Sequence, residues 1–236
     1  MTAATVRVLA VRELLRFFRQ RSRVFGAIAQ PLMFWLVLGS GIGQRAYFYP
    51  GVLLMVVLFT SIFATVSLIE DRHSGFLQAV LAAPAPRSAI VLGKTFGGAA
   101  IALLQAAFFL ALAPLAGVAY GAVDWPSVAA ILVLSAVALT ATGFTFAWWL
   151  DNAQGFHAVM MVLLMPSWLL SGAVFSVEQA APWLAAIMRA NPLTHAVAAL
   201  RHALAGGAAS AGQVAILAVF AAVALGLATL VASRRT

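Results

Sequence analysis

The stretch 70–94 reads EDRHSGFLQAVLAAPAPRSAIVLGK, and side chains capable of ionic chemistry gather there. Glu70, Asp71, Arg72, Arg87 and Lys94 are five of the 20 charged residues, the sum of 14 Lys+Arg and 6 Asp+Glu. Ser88 to Thr95, SAIVLGKT, looks like a phosphate-binding loop. Such a loop needs glycine where Ser88 stands and a backbone free to wrap a phosphate. Ala89-Ile90-Val91-Leu92 is bulky and apolar instead. Gly93-Lys94 therefore reads as the start of a membrane span, with the lysine snorkelling to the head groups. His73, His157, His195 and His202 lack the converging spacing of a metal site, and no carboxylate joins His195 and His202. No GxSxG elbow or HExxH pair is present, and no buried acid or lysine accompanies the scattered Ser and Thr. These absences argue against an enzyme.

The island lies in a chain that is 64% hydrophobic and only 8% charged. A soluble domain carries roughly 25% charge, so lipid must be the solvent. The chain has no cysteine, which excludes disulfide and thiolate chemistry. A net charge of +8 would suit nucleic acid, but the arginines cluster at membrane edges, where orientation and lipid head groups account for them. The N-terminus does not read as a cleavable signal, because its charged region runs to Arg23 and the apolar run after it is too long.

A membrane helix needs about 20 apolar residues. Six stretches qualify, roughly 24–43, 50–69, 95–116, 127–150, 157–176 and 212–232, and none holds Asp, Glu, Lys or Arg. With a cytoplasmic N-terminus, eleven basic residues fall inside: Arg7, Arg12, Arg16, Arg19, Arg21, Arg23, Arg72, Arg87, Lys94, Arg234 and Arg235. Only Arg45, Arg189 and Arg201 fall outside. The positive-inside rule favours that orientation, with both termini and the island cytoplasmic. The expected fold is an all-α integral membrane protein, a single transmembrane domain over residues 1–236.

Residues 4–20 repeat Val6, Leu9, Ala10, Leu14 and Phe17 at three- and four-residue steps, with Arg12, Arg16 and Arg19 on another face. That pattern predicts an amphipathic helix in the inner head-group layer. In the island, Ser74-Gly75 breaks the preceding helix. Phe76, Leu77, Val80 and Leu81 then share one helical face, and Pro84 and Pro86 end the short helix. Its terminal charges would pair with a soluble partner and its apolar face would dock. Residues 177–211 form the one long outer segment, and Pro192 divides it into two short helices that dip into the outer leaflet. Spans without ionisable groups lack what proton or ion coupling requires, so energy for uphill transport must enter through a cytoplasmic loop. A channel would show polar or charged rings along its spans, and a non-transporting scaffold would have little use for a docking loop. Both stand as alternatives to a transporter.

The segment 70–94 resembles the inner loop of type-2 ATP-binding-cassette exporter permeases. Glu70, Gly75, Pro84, Arg87, Gly93 and Lys94 sit where that family's pattern places them, while Phe76 replaces the usual small hydroxyl residue. NPLTHAVAALRHAL (191–204) is similar to the family's second signature through Asn191, Pro192, Leu193, Thr194 and Arg201. His195 and Ala198 depart from it. The resemblance implies a half-transporter. Two permease copies, or a copy and a paralogue, would sit on separate ATPase subunits that bind ATP and Mg. The loop 70–87 would be the coupling helix, with Glu70, Asp71, Arg72, Gly75, Phe76, Leu77, Pro84 and Arg87 as its ATPase-coupling residues. Glu70 would be a hinge pairing with an N-terminal arginine. The second and fifth spans would face the dimer axis. Their Met55, Phe59, Phe63, Met160, Met161, Met165 and Trp168 then suggest a path for a drug-like, lipid-like or glycan-lipid amphiphile, because methionine and aromatic side chains adapt to varied apolar shapes.

Overall fold

The computed structural model describes residues 2–41, 45–83, 86–150 and 152–234. Eleven α-helices run through them: α1 (Thr2–Arg19), α2 (Arg21–Gly41), α3 (Arg45–Ala64), α4 (Val66–His73), α5 (Phe76–Ala82), α6 (Arg87–Leu110), α7 (Trp125–Trp149), α8 (Ala153–Trp168), α9 (Pro182–Ala190), α10 (Pro192–Leu204) and α11 (Ala211–Arg234). No strand occurs among the described residues.

Among the described residues, five stretches are long and apolar enough to cross a bilayer: Arg45–His73, Arg87–Leu110, Trp125–Trp149, Ala153–Ala173 and Ala211–Arg234. The sixth expected span falls in α2, whose apolar part is the shorter Ile28–Gly41. The stretch expected at 95–116 is displaced. Its helix begins at Arg87 and ends at Leu110, so Lys94 stands two turns inside it. The span 50–69 likewise runs on through α4 to His73 and carries Glu70, Asp71 and Arg72 at its end. The expectation of charge-free spans is therefore corrected at both places.

Helices α3 and α7 occupy the centre. Helix α3 packs on α2, α6 and α7, and α7 packs on α6, α10 and α11. Every residue from Phe48 to Leu58 is buried, as expected of a helix apolar all round. Helices α8 and α11 lie at the edge, where much of their apolar surface is left for lipid or another chain.

Helix α1 does not merely rest on a lipid surface. Its periodic face is the expected one, but Leu9 and Phe17 are buried against the bundle. The partner is α6, where Gly93 and Gly97 are four residues apart and receive Leu9 and Glu13, also four apart. A Cβ added at Gly97 would meet Glu13 Cβ at 2.8 Å and Ala10 Cα at 3.1 Å. Small residues at this spacing let two helices approach closely. Gly97→Leu should force α1 off α6 and cost about 1–3 kcal/mol by overpacking. A melting temperature in detergent equal to that of the unmodified chain would contradict this packing.

Candidate functional site

The site is built from the ends of α1, α4, α5 and α6. Helix α4 stops at His73, and Gly75 turns the chain with φ of 76°, a left-handed conformation that glycine adopts without strain. Helix α5 follows. Leu77 is buried, Phe76 and Val80 pack partly on the core, and Gln78, Ala79 and Leu81 are exposed. Pro84 lies outside the described residues. Pro86 is extended and precedes the first turn of α6.

Asp71 is 1% exposed and accepts four hydrogen bonds. Arg12 from α1 donates two, Nη2 to Oδ1 at 2.7 Å and Nη1 to Oδ2 at 2.9 Å. Arg16 donates to Oδ1 at 2.9 Å, and Lys94 Nζ donates to Oδ2. A carboxylate has about four lone-pair sites, so this one is saturated. Lys94 also donates to Glu13 Oε1 at 2.6 Å and to Ser67 Oγ at 3.3 Å. Arg16 pairs with Glu70. Three carboxylates (Glu13, Glu70 and Asp71) thus face three cations (Arg12, Arg16 and Lys94). The hydrogen bonds that Arg12 donates to Asp71 raise its pKa above the ordinary value, so this cation stays charged. Arg12 also lies over the Phe76 ring, its Cζ 3.7 Å from the centroid. One side chain of α1 therefore touches both α4 and the first residue of α5.

Lys94 does not snorkel. Its ammonium is buried at 5% exposure between two carboxylates. The island's arginines are bonded within the chain. Arg72 donates to Trp148 O at 2.8 Å and caps the end of α7. Arg87 donates to Ala232 O at 3.0 Å and Ser233 O at 3.1 Å and caps α11. Free carbonyls and the negative end of the helix dipole explain both placements. What the island exposes is mostly uncharged: Ser74, Gly75, Gln78, Ala79 and Leu81, with His73 beside them. Glu13, Arg12 and Arg16 were not singled out as site residues from sequence. A signal for Glu13 was present, because it falls on the same stripe as Leu9 and Phe17 and is the only acid before residue 70.

At the opposite end, the segment 191–204 closes a broken helix. Helix α8 continues as a π-turn over Leu169–Ala173, where Gly172 has φ of 77°. Side chains satisfy the carbonyls this break releases. Asn191 Nδ2 donates to Ser167 O at 2.7 Å, Thr194 Oγ1 to Leu170 O at 3.1 Å, and Arg201 Nη2 to Gly172 O at 3.1 Å. Pro192 starts α10 and Asn191 caps it through Leu193 N. Broken helices survive in a membrane only where neighbours satisfy the backbone. Arg201 also stacks on Tyr47 at 4.3 Å.

The residues proposed for a substrate path separate into two sets. Met55, Phe59 and Phe63 line a cleft of about 270 Å³ together with Phe17, Thr60 and His157. His157 stacks on Phe63 at 4.8 Å. Met161 is exposed on α8, and Met165 is half-buried outside this cleft. Met160 and Trp168 are buried in the bundle, with Trp168 Nε1 donating to Gly51 O at 2.8 Å.

The family model described as ABC-2 type transporter matches residues 4–205. The chain belongs to the ABC-2 type transporter family. Among curated proteins, this family member is similar to one named transport permease ycf38 from Cyanophora paradoxa, 28% identical over 214 residues. That match covers 82% of this chain and 72% of the relative. It is also similar to the inner membrane transport permease YadH of Escherichia coli K12, 24% identical over 186 residues, covering 74% and 72% of the two chains. This ABC-2 chain is thus a transmembrane transporter subunit and a multi-pass membrane protein.

The ion network makes a sharp prediction. Lys94→Met leaves Glu13 and Asp71 short of a cation and should cost about 3–5 kcal/mol of stability. Adding Glu13→Gln removes one stranded charge and should recover a large part. Thermal unfolding of both variants in detergent tests this, and equal losses in the two would contradict the pairing.

Proposed function

We propose that this chain is the membrane half of an ATP-driven exporter. Two copies, or one copy and a paralogue, form the pathway, and separate ATPase subunits supply the energy. Those subunits bind ATP and Mg; this chain contributes the surface they push on. Both termini and the α4–α5–α6 elbow are cytoplasmic, in keeping with eleven basic residues on that side against three on the other. Export is favoured by the resemblance to exporter permeases.

The observation that carries this reading is the wiring of the elbow. Helix α5 is short, exposed along Gln78, Ala79 and Leu81, and seated on the core by Leu77. Its first residue is stacked under Arg12, which is locked to Asp71 and through it to Lys94 of α6. A push on α5 is therefore delivered to α1, α4 and α6 together. Coupling of this kind requires two global states that bind ATP differently. Arg72 and Arg87 serve by holding the ends of α7 and α11 to the same elbow.

The cleft supports an amphipathic substrate, drug-like, lipid-like or glycan-lipid. Phe59, Phe63 and Met55 offer adaptable apolar walls, and Thr60 and His157 offer polar contacts. About 270 Å³ is at the small end for a ligand site and suits one end of an amphiphile.

The test is co-expression with the candidate ATPases of the same genome. A stable complex should purify in mild detergent and hydrolyse ATP. Replacing residues 74–82 by a Gly/Ser linker should abolish the complex, and Glu70→Arg should leave it assembled with transport lost from hydrolysis. Binding that ignores the replaced elbow would overturn the reading. Separately, Phe63→Ala should lower stimulation of ATP hydrolysis by added amphiphiles about tenfold, the weight of one aromatic contact of about 1.5 kcal/mol.

A further inference from the structure

The cleft beside α3 holds two polar side chains whose protons are already committed elsewhere in the chain. A threonine hydroxyl has one proton and two lone pairs. Thr60 is 8% exposed, and its Oγ1 donates to Gln105 Oε1. Gln105 belongs to α6, is 5% exposed and does not itself line the cleft. What Thr60 offers a ligand is therefore lone pairs alone. His157 is restricted by another route. Its Nδ1 lies 2.7 Å from Ala153 O, and a carbonyl only accepts, so Nδ1 carries the proton of that bond. In the neutral ring Nε2 then holds a lone pair. Stacking on Phe63, 14° from parallel, fixes the ring. Gln30 is exposed and can turn either end of its amide to a ligand, so it selects nothing.

Two committed acceptors select the head group that meets them. A phosphate, sulfate or carboxylate would set lone pairs against lone pairs, and no cation lines the cleft among the described residues to offset this. An ammonium brings N–H donors for both Thr60 and His157. Phe17, Phe59 and Phe63 add aromatic rings, whose faces attract positive charge. We infer that the cleft takes amphiphiles with an N–H-bearing ammonium head, and that Gln105 sets this choice without touching them, by holding the Thr60 proton. Gln105 is thus a positioning residue for specificity. The inference rests on the reading of this cleft as the substrate path. Binding to the permease alone is measured without any ATPase, so a failed coupling experiment leaves the head-group choice intact, and the reverse holds.

The test is photolabelling of the full-length chain in phosphatidylcholine nanodiscs. The probe is a decylammonium with a diazirine on its chain. It should label peptides that contain residues 55–64, and unlabelled decylamine should displace it. Decyltrimethylammonium keeps the charge and the tail but has no N–H. It should compete about tenfold more weakly, the weight of one charge-assisted hydrogen bond. Decyl sulfate should compete more weakly still. T60V should remove most of the tenfold difference, and T60S, which keeps the hydroxyl, should retain it and so separates hydrogen bonding from a failure to fold. Q105L frees the Thr60 proton to turn into the cleft and should shrink the difference as well, although residue 105 never meets the probe. Equal competition by the primary and quaternary amines, stronger competition by decyl sulfate, or a difference untouched in T60V and Q105L would overturn the inference.

Discussion

A carboxylate buried beside a membrane-spanning helix is costly unless every lone pair is used, and Asp71 uses all of its own. Its four donors come from α1 and α6, while its backbone belongs to α4. Removing any one of the three helices would strand charge in an apolar setting. That single constraint explains why α1 lies against the bundle, why α6 carries glycine at 93 and 97, and why a lysine is tolerated two turns inside a span. It also gives the short helix α5 a rigid floor, because the Arg12 guanidinium that binds Asp71 carries the Phe76 ring.

The same economy governs the helix ends. In a chain with so few charges, Arg72, Arg87 and Arg201 each donate to a carbonyl at the end of another helix. Water would normally satisfy such carbonyls, and in lipid a side chain must do so. The two ends of the molecule are stiffened by different means, salt bridges at the elbow and hydrogen bonds to carbonyls around the π-turn of α8. Between them, the packed interior of α3 and α7 joins the elbow to α10, on which α9 packs.

Much of this was legible from sequence, and the reason differs by element. Apolar runs of the right length marked the long helices, because lipid imposes a length on any helix that crosses it. Ser74-Gly75 and Pro192 marked the breaks, since both act through the local backbone. Lys94 was misread as snorkelling, and the bonds that Arg72 and Arg87 make to helix ends were not foreseen. Their partners lie 81 residues away for Glu13 and Lys94, and 145 for Arg87 and Ala232, and periodicity carries no information at that separation. The faces of α1 failed in a subtler way. The stripe through Leu9 and Phe17 was correct, but hydropathy alone does not separate a helix neighbour from lipid as the surface it meets.

The central claim is that α1, the elbow and the start of α6 move as one body when ATP is bound. Pulsed electron–electron distance measurements between labels at Gln78→Cys on α5 and Val8→Cys on α1, in the assembled complex with and without trapped ATP, address it directly. The account predicts an unchanged distance within one chain, while the Gln78 distance between the two permease copies shifts. A change in the α5–α1 distance on ATP trapping would contradict it, because the lock through Arg12 and Asp71 would then be broken during the cycle.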